Sequence, residues 1–500
     1  MAIVNVSAPP RVLTMEEYRS AWQPQGWQLI IIGPTSTWRQ EWGEWEAIRD
    51  IVQNALDEAE SYRWGYDSEG LWIADRGRGV GVADFLLGPP KLKPDWARGK
   101  YGEGMKIAAL ALIRKGYSVR VETTGRELWI IFLEQDADGK VQTLAALWRA
   151  GGTKVGTRFH IIGYIGSAYE DKFAVNLPRK DIIAEGPSRL AQPIRRFNQL
   201  IDHPFPNGSR IYVRDIYMRD FNSPFSYNLW GFDMAPDRHG PKNESDMWLD
   251  MGRLWSCITN LRLLEVFMQM VRHPPIVETE ESHNINMSAW DMGYEPVTNK
   301  PYAQFVKENA SVWRDAWVNN FGENAVIRTS DRWDGTVKHL GYVSVSVNWN
   351  ARDTLAQAIT TDADLVKASQ ERLREVEIIP DERLSTKQRT HLKLARAISD
   401  EIASYRKVGG VHAAIIPPAS DRVRTAGMYS RTTQEIFIAS DQLEQGRSTI
   451  DTVIHELAHH SSGAEDLEQE HSTDMTKIAA RVVEMTSYGK FDELMKGVMW

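Results

Sequence analysis

The sequence predicts an α+β protein of about three units, and three observations carry that expectation. An amphipathic helix pattern near the front is followed by strand patterns in close succession. Helical periodicity takes over beyond Asp353. The longest apolar runs, such as Leu29 to Ile32 and Ile107 to Ile113, fall far short of the ~20 residues that a membrane span needs. A content of 42% hydrophobic and 25% charged residues in 500 is ordinary for a globular chain able to bury several cores.

In order, residues 44 to 64 place Trp45, Ile48, Ile51, Val52, Ala55 and Leu56 on one helical stripe, with Gly65 as a stop. LWIADRGRG reads as a strand ending in glycines. The loop GPPKLKPDWARGKYGEG then opens onto an apolar helix from Met105 to about Lys115. Strand patterns follow at YSVRVETTG, RELWIIFLEQ, VQTLAALWRA and TKVGTRFHIIGY, completing a first unit over residues 1–185. The second unit, 186–352, opens with the strand RIYVRDIYM, continues through one long helical pattern from Glu244 to about Val271, and closes with a strand in HLGYVSVSVNW. The third, 353–500, reads as mainly helical, with one clear strand, EIFIAS, ahead of the helix STIDTVIHELAHH.

Composition narrows the function. Sixty-seven acids against 59 bases give a net charge of −8, and no run of five or six like charges occurs, so wholesale electrostatic binding of nucleic acid is not indicated; a local basic groove is still compatible. Cys257 is the sole cysteine, which rules out an internal disulfide and cysteine-rich zinc sites and leaves His and carboxylates for any metal. The N-terminal stretch lacks a charged segment followed by an apolar one, so a cytoplasmic protein without membrane association is expected. The nineteen Trp and sixteen Tyr follow no period and read as core residues.

Four separated segments form a first constellation. Asp50, Asn54 and Asp57 in RDIVQNALDE share one helix face. Asp75, Gly77 and Gly79 follow the strand in ADRGRGVG, while GKYGEGMK carries Gly99, Gly102, Gly104 and Lys106. Gly156 and Thr157 open a later strand. Asn54 can offer an amide oxygen to Mg²⁺, Asp50 can polarise an attacking water, and Asp75 can accept a hydrogen bond from an exocyclic amine. The glycines allow close backbone approach, and a helix beginning after GEG directs free N–H groups at phosphate.

In this order the segments resemble the GHKL ATPases: gyrase, ninety-kilodalton heat-shock chaperones, histidine kinases and MutL. Over residues 40 to 165 the resemblance implies a Bergerat-type sandwich holding ATP under a lid at about Leu87 to Tyr101. It implies Asn54 on Mg²⁺, Asp75 on adenine, Gly77, Gly79, Gly102 and Gly104 lining the pocket, and Thr157 near the base. Hydrolysing members usually carry Glu where this chain has Asp50. The second unit loosely resembles the transducer domain that follows this fold in gyrases and MutL. There a lysine reaches the γ-phosphate, which makes Lys242, beside Arg238, the candidate. By the same analogy, ATP pairs two chains into a homodimer.

The second constellation is HExxH. His455 and His459 lie four residues apart on one helix face, with Glu456 beside them, in a chain of only twelve histidines. A catalytic zinc needs a third protein ligand, for which His471 is favoured, with Glu465, Glu468, Glu470 and Asp474 as alternatives. His460, about 100° around the helix from His459, is expected outside the ligand set. The helix resembles that of zincin metallopeptidases over residues 435 to 485. The resemblance implies Glu456 as proton acceptor and EIFIAS as an edge strand that binds an extended peptide. Together the constellations predict an ATP-regulated zinc metallopeptidase acting on a protein or peptide. The alternative is an ATP-operated clamp or chaperone, acting on DNA or protein, with a non-catalytic metal site.

Overall fold

The computed structural model describes residues 8–59, 61–85, 97–98, 104–134, 141–189, 197–235, 240–403, 407–464, 466 and 468–500. The chain is mixed α/β with several sheets and separates into two compact units. One comprises residues 1–258 with 284–286 and 291–302; the other holds the remainder.

In the first unit an eight-stranded sheet carries, in spatial order, Gln28–Thr35, Gln142–Ala150, Arg126–Glu134, Ser118–Thr123, Thr157–Ile162, Gly70–Ala74 and Arg63–Tyr66. Val12–Leu13 is the eighth strand and pairs in parallel with Arg126–Glu134. The unbroken apolar run of RELWIIFLE follows from burial on both faces. Leu128, Ile130 and Phe132 join the core that includes Ile48, Val52 and Leu110 of helices Glu44–Ala59 and Gly104–Arg114. Trp129, Ile131 and Leu133 join a second core with Leu13, Trp22 and Trp27 of the N-terminal segment. Period-two alternation thus divides one strand between two cores.

The same unit contains a five-stranded sheet in the order Ile216–Phe221, Ser209–Val213, Ser226–Leu229, Phe197–Ile201 and Ile182–Pro187, covered by helix Glu244–Ser256. RIYVRDIYM, expected as one strand, is a hairpin. Its two-residue turn, Arg214 and Asp215, has φ of 51° and 72°, the left-handed pair that a tight hairpin requires. Arg-Asp lacks the Asn-Gly signature that announces such turns. The single helical pattern of 244–271 is likewise two helices. Cys257 caps the first, and the Asn260 side chain starts the second, Leu261–Val271, by accepting from Leu263 N–H at 3.3 Å.

In the second unit, Leu261–Val271 packs on helix Ala310–Phe321, with the Phe267 and Trp313 rings 5.9 Å apart. HLGYVSVSVNW contributes only Val343–Val345, paired in parallel with Ala325–Ile327, because His339 still belongs to helix Asp334–His339. The C-terminal region holds a four-stranded sheet in the order Glu377–Ile378, Gly410–Ile415, Glu435–Ala439 and Gly427–Ser430, not a lone strand. Helices Thr386–Ile402, Gly446–Ser462 and Gln469–Ser487 bury Leu394, Val453, Leu457, Ile478 and Val482 against Val411, Ile436 and Ile438 of that sheet. EIFIAS is therefore an interior strand, paired on both sides. The edge is Gly427–Ser430, antiparallel to it. No described helix is long and apolar enough to cross a membrane.

Candidate functional site

Most of the first constellation converges within the first unit. Asp75 follows its strand and is held twice: its N–H donates to Thr157 O at 2.9 Å, and its Oδ1 accepts from Gly77 N–H at 2.7 Å. Burial raises its carboxyl above the usual range, against those backbone hydrogen bonds. Gly156 has φ of 75°, and a Cβ there would lie 2.1 Å from Asp75 O, so strand and box meet only through glycine. Gly77 packs on Glu58 of the helix carrying Asp50, and Gly79 on Thr123 and Thr124. Thr157 is buried, with its hydroxyl 3.5 Å from that of Thr123.

Asp50 is 1% exposed and pairs with Arg49 Nε at 3.2 Å. Its Oδ2 lies 2.1 Å from where a Cβ on Gly104 would stand, so the start of helix Gly104–Arg114 rests directly on this carboxylate. Asn54 donates its amide N–H to Asp50 O at 2.7 Å, which leaves its oxygen as the end suited to a cation. Asp57 is turned to Arg98, accepting from its backbone N–H at 2.9 Å. Lys106 is buried in the helix. Lys242 is exposed, with its backbone N–H on Asp233 O at 2.7 Å, and no contact joins it to these boxes among the described residues. Gly99, Gly102, Arg238 and all of the expected lid except Ala97 and Arg98 lie outside the described residues.

The second constellation is a compact donor cluster. Helix Gly446–Ser462 ends at Gly463, whose φ of 69° turns the chain back towards helix Gln469–Ser487. That reversal brings His471, in the first turn of the second helix, against the HExxH pair. Ring centroids are 4.7 Å from His455 to His471 and 4.2 Å from His459 to His471. Ser461 Oγ donates to Asp474 Oδ2 at 2.8 Å and ties the two helices together. His459 Nδ1 lies 2.9 Å from Ala464 O, which fixes the ring with Nε2 facing Asp466.

Asp466, in the connection between the helices, is the ligand candidate that sequence reasoning missed. His455, His459, Asp466 and His471 each offer a donor atom, all within 4.8 Å of one another. Asp466 Oδ1 is buried between the two imidazoles, 3.0 Å from His455 Nε2 and 3.2 Å from His459 Nε2, an ion-pair distance from each. Donors bound tetrahedrally at zinc distances stand about 3.3 Å apart, so the 3.0 and 3.2 Å spacings fit a divalent cation. Three nitrogens and one oxygen suit zinc rather than calcium or magnesium. Although burial opposes it, Asp466 and the Ala464 carbonyl push His459 up to about 9, and the two histidines hold Asp466 well below the carboxylate range.

Among the alternatives, Glu468 and Glu470 are exposed, Asp474 is engaged by Ser461 and Lys477, and Glu465 lies outside the described residues. His460 is buried on another face, its Nδ1 2.9 Å from the Tyr429 hydroxyl.

Glu456 is buried beneath the edge strand. A Cβ on Gly427 would stand 2.8 Å from its Oε1, and the Tyr429 backbone N–H donates to its carboxylate. Burial raises it to about 7, against the charges of His455 and His459 and that hydrogen bond. A carboxylate so tuned exchanges protons near neutral pH. A signal for Asp466 existed, since it follows the helix-stopping Gly463 by three residues, but only the chain reversal shows that it faces His455 and His459.

No protein-family model matches the chain, and no match to it was found among curated proteins.

Proposed function

We propose that the chain is an ATP-binding protein whose C-terminal region is a zinc-dependent peptidase under nucleotide control. The observation that carries the peptidase reading is the convergence of His455, His459, Asp466 and His471, with Asp466 Oδ1 buried 3.0 and 3.2 Å from the His455 and His459 Nε2 atoms. His455, His459 and His471, with Asp466, would hold the metal. Zinc there would supply Lewis acidity towards the scissile carbonyl and the attacking water. Glu456 accepts the water proton on its carboxylate and passes it to the departing amine. The outer edge of Gly427–Ser430, unpaired among the described strands, accepts an extended peptide as an added strand.

The ATP reading is supported by the meeting of Asp75, Thr157, Gly77 and Gly156, and of Asp50 with Gly104. Asn54 would hold Mg²⁺, Asp75 would read the adenine amine, and Asp50 would orient water for hydrolysis. Control of the peptidase by ATP, and pairing of two chains, rest on the GHKL resemblance. Peptide cleavage measured with ATP, with a nonhydrolysable analogue and without nucleotide tests that control; equal rates in all three remove it.

One observation favours a second reading, an ATP-operated clamp or chaperone with a structural metal. Four protein donors are present, and structural zinc sites are closed by four whereas catalytic sites keep a position open. Full occupancy by zinc with no cleavage of any peptide would support it.

A further inference from the structure

The four-donor count poses a chemical problem for a peptidase: with His455, His459, His471 and Asp466 all bound, no position is open to water or substrate. We propose that Asp466 is a displaceable fourth ligand. It closes the metal centre when its Oδ1 faces the histidine pair and opens it when the carboxylate is drawn onto His339. The inference rests on reading the cluster as a catalytic metal centre.

Three observations support it. First, the two oxygens of Asp466 serve different partners: Oδ1 faces His455 and His459 at 3.0 and 3.2 Å, while Oδ2 lies 3.3 Å from His339 Nε2. The carboxylate already bridges the two positions between which it would switch. Second, His339 ends helix Asp334–His339, a separate element from the two that carry the other ligands, and it is exposed. A shift of that helix would therefore act on Asp466 without disturbing His455 or His459. Third, the other three donors are fixed within helices, whereas Asp466 sits in the turn between them. It is the one donor whose withdrawal requires no helix to move. Asp466 thus acts as the latch, and His339 is a positioning residue working through it.

The test uses the full-length chain loaded with Co²⁺. Azide, a small anion that needs an open position, is titrated while the visible absorption of the ion is recorded. Elemental analysis gives the metal content of each variant. Asp466→Ala and Asp466→Asn should keep one metal per chain and bind azide at least tenfold more tightly than the unaltered protein, with a changed absorption spectrum. His339→Gln should weaken azide binding at least threefold, because the carboxylate loses its second seat. Asp474→Asn, which removes a neighbouring charge from the same pair of helices, should leave azide binding unchanged and so separates ligation from electrostatics. Equal azide affinity and identical spectra in the unaltered protein and both Asp466 variants would overturn the latch while leaving the metal centre standing. No metal taken up by the unaltered chain would overturn the centre itself, and the proposed peptidase with it.

Discussion

Replacing Gly427 by Ala tests whether the edge strand lies directly on the HExxH helix. The new Cβ would stand 2.5 Å from Thr452 Cγ2, 2.8 Å from Glu456 Oε1 and 3.0 Å from Glu456 Cγ. Neither neighbour can readily retreat: Thr452 is β-branched within a helix, and Glu456 is buried and held by the Tyr429 N–H. Overpacking of this kind costs about 1–3 kcal/mol. In a unit of this size, each kcal/mol moves a thermal midpoint by about 2–4 °C, so Tm should fall by about 2–12 °C. None of the atoms in the clash belongs to His455, His459, Asp466 or His471, so zinc content should be unchanged while peptide cleavage falls more than tenfold. Gly335→Ala is the control, because a Cβ there meets nothing within 4 Å; it should be neutral or stabilising by up to about 1 kcal/mol. Differential scanning calorimetry with parallel metal analysis reads both. An unchanged Tm and full cleavage in G427A would refute the placement of Gly427–Ser430 over Glu456.

The other expectations concern both sites. Asp75→Asn should weaken ATP binding at least tenfold by calorimetry. Because burial raises the Asp75 carboxyl, its contribution to stability is present below the ordinary carboxylate range and is lost as pH rises through the raised value; the nucleotide-free variant should therefore match or exceed the unaltered protein in Tm at pH 7.5, with the gap narrowing towards pH 4. Gly104→Ala drives a methyl to 2.1 Å from Asp50 Oδ2 and should abolish ATP binding in an equilibrium titration while leaving zinc uptake intact. Chelation should lower Tm, and zinc at a hundredfold excess over its Kd should restore about 2.7 kcal/mol; His455→Ala should show no response to either treatment.

Legibility followed the range over which each element is decided. Local periodicity was enough for the strand Arg126–Glu134 and for the apolar stripe of helix Glu44–Ala59. That helix ends before the expected residue 64, and Gly65, expected as its stop, lies within the strand Arg63–Tyr66, which is fixed by pairing with Gly70–Ala74. Features decided by distant partners were hidden. The Arg214–Asp215 turn is held from outside by Asn228, whose Oδ1 accepts the Asp215 N–H at 2.9 Å, so its own residues carry no turn signature. Gly427–Ser430 is only four residues long, GMYS, too short to show a clear alternation, and its identity as the edge comes from pairing with Glu435–Ala439. In the site, i,i+4 spacing revealed His455 and His459, and the glycine stop made the return of His471 foreseeable. Asp466 carried only its place three residues after Gly463, which does not separate it from the neighbouring acids, and His339 carried no signal, because a partner from another helix obeys no spacing rule.

The most direct measurement compares the full-length zinc-loaded chain with its Glu456→Gln variant on a peptide library, with products identified by mass spectrometry and metal content measured in both. The expected result is one zinc per chain in each, cleavage by the unaltered protein, and a loss of at least about 100-fold in the variant, the usual worth of a general base. Equal cleavage by the two proteins, or none by either with the metal fully bound, would contradict the assignment of Glu456 and its four neighbouring donors as a peptidase centre.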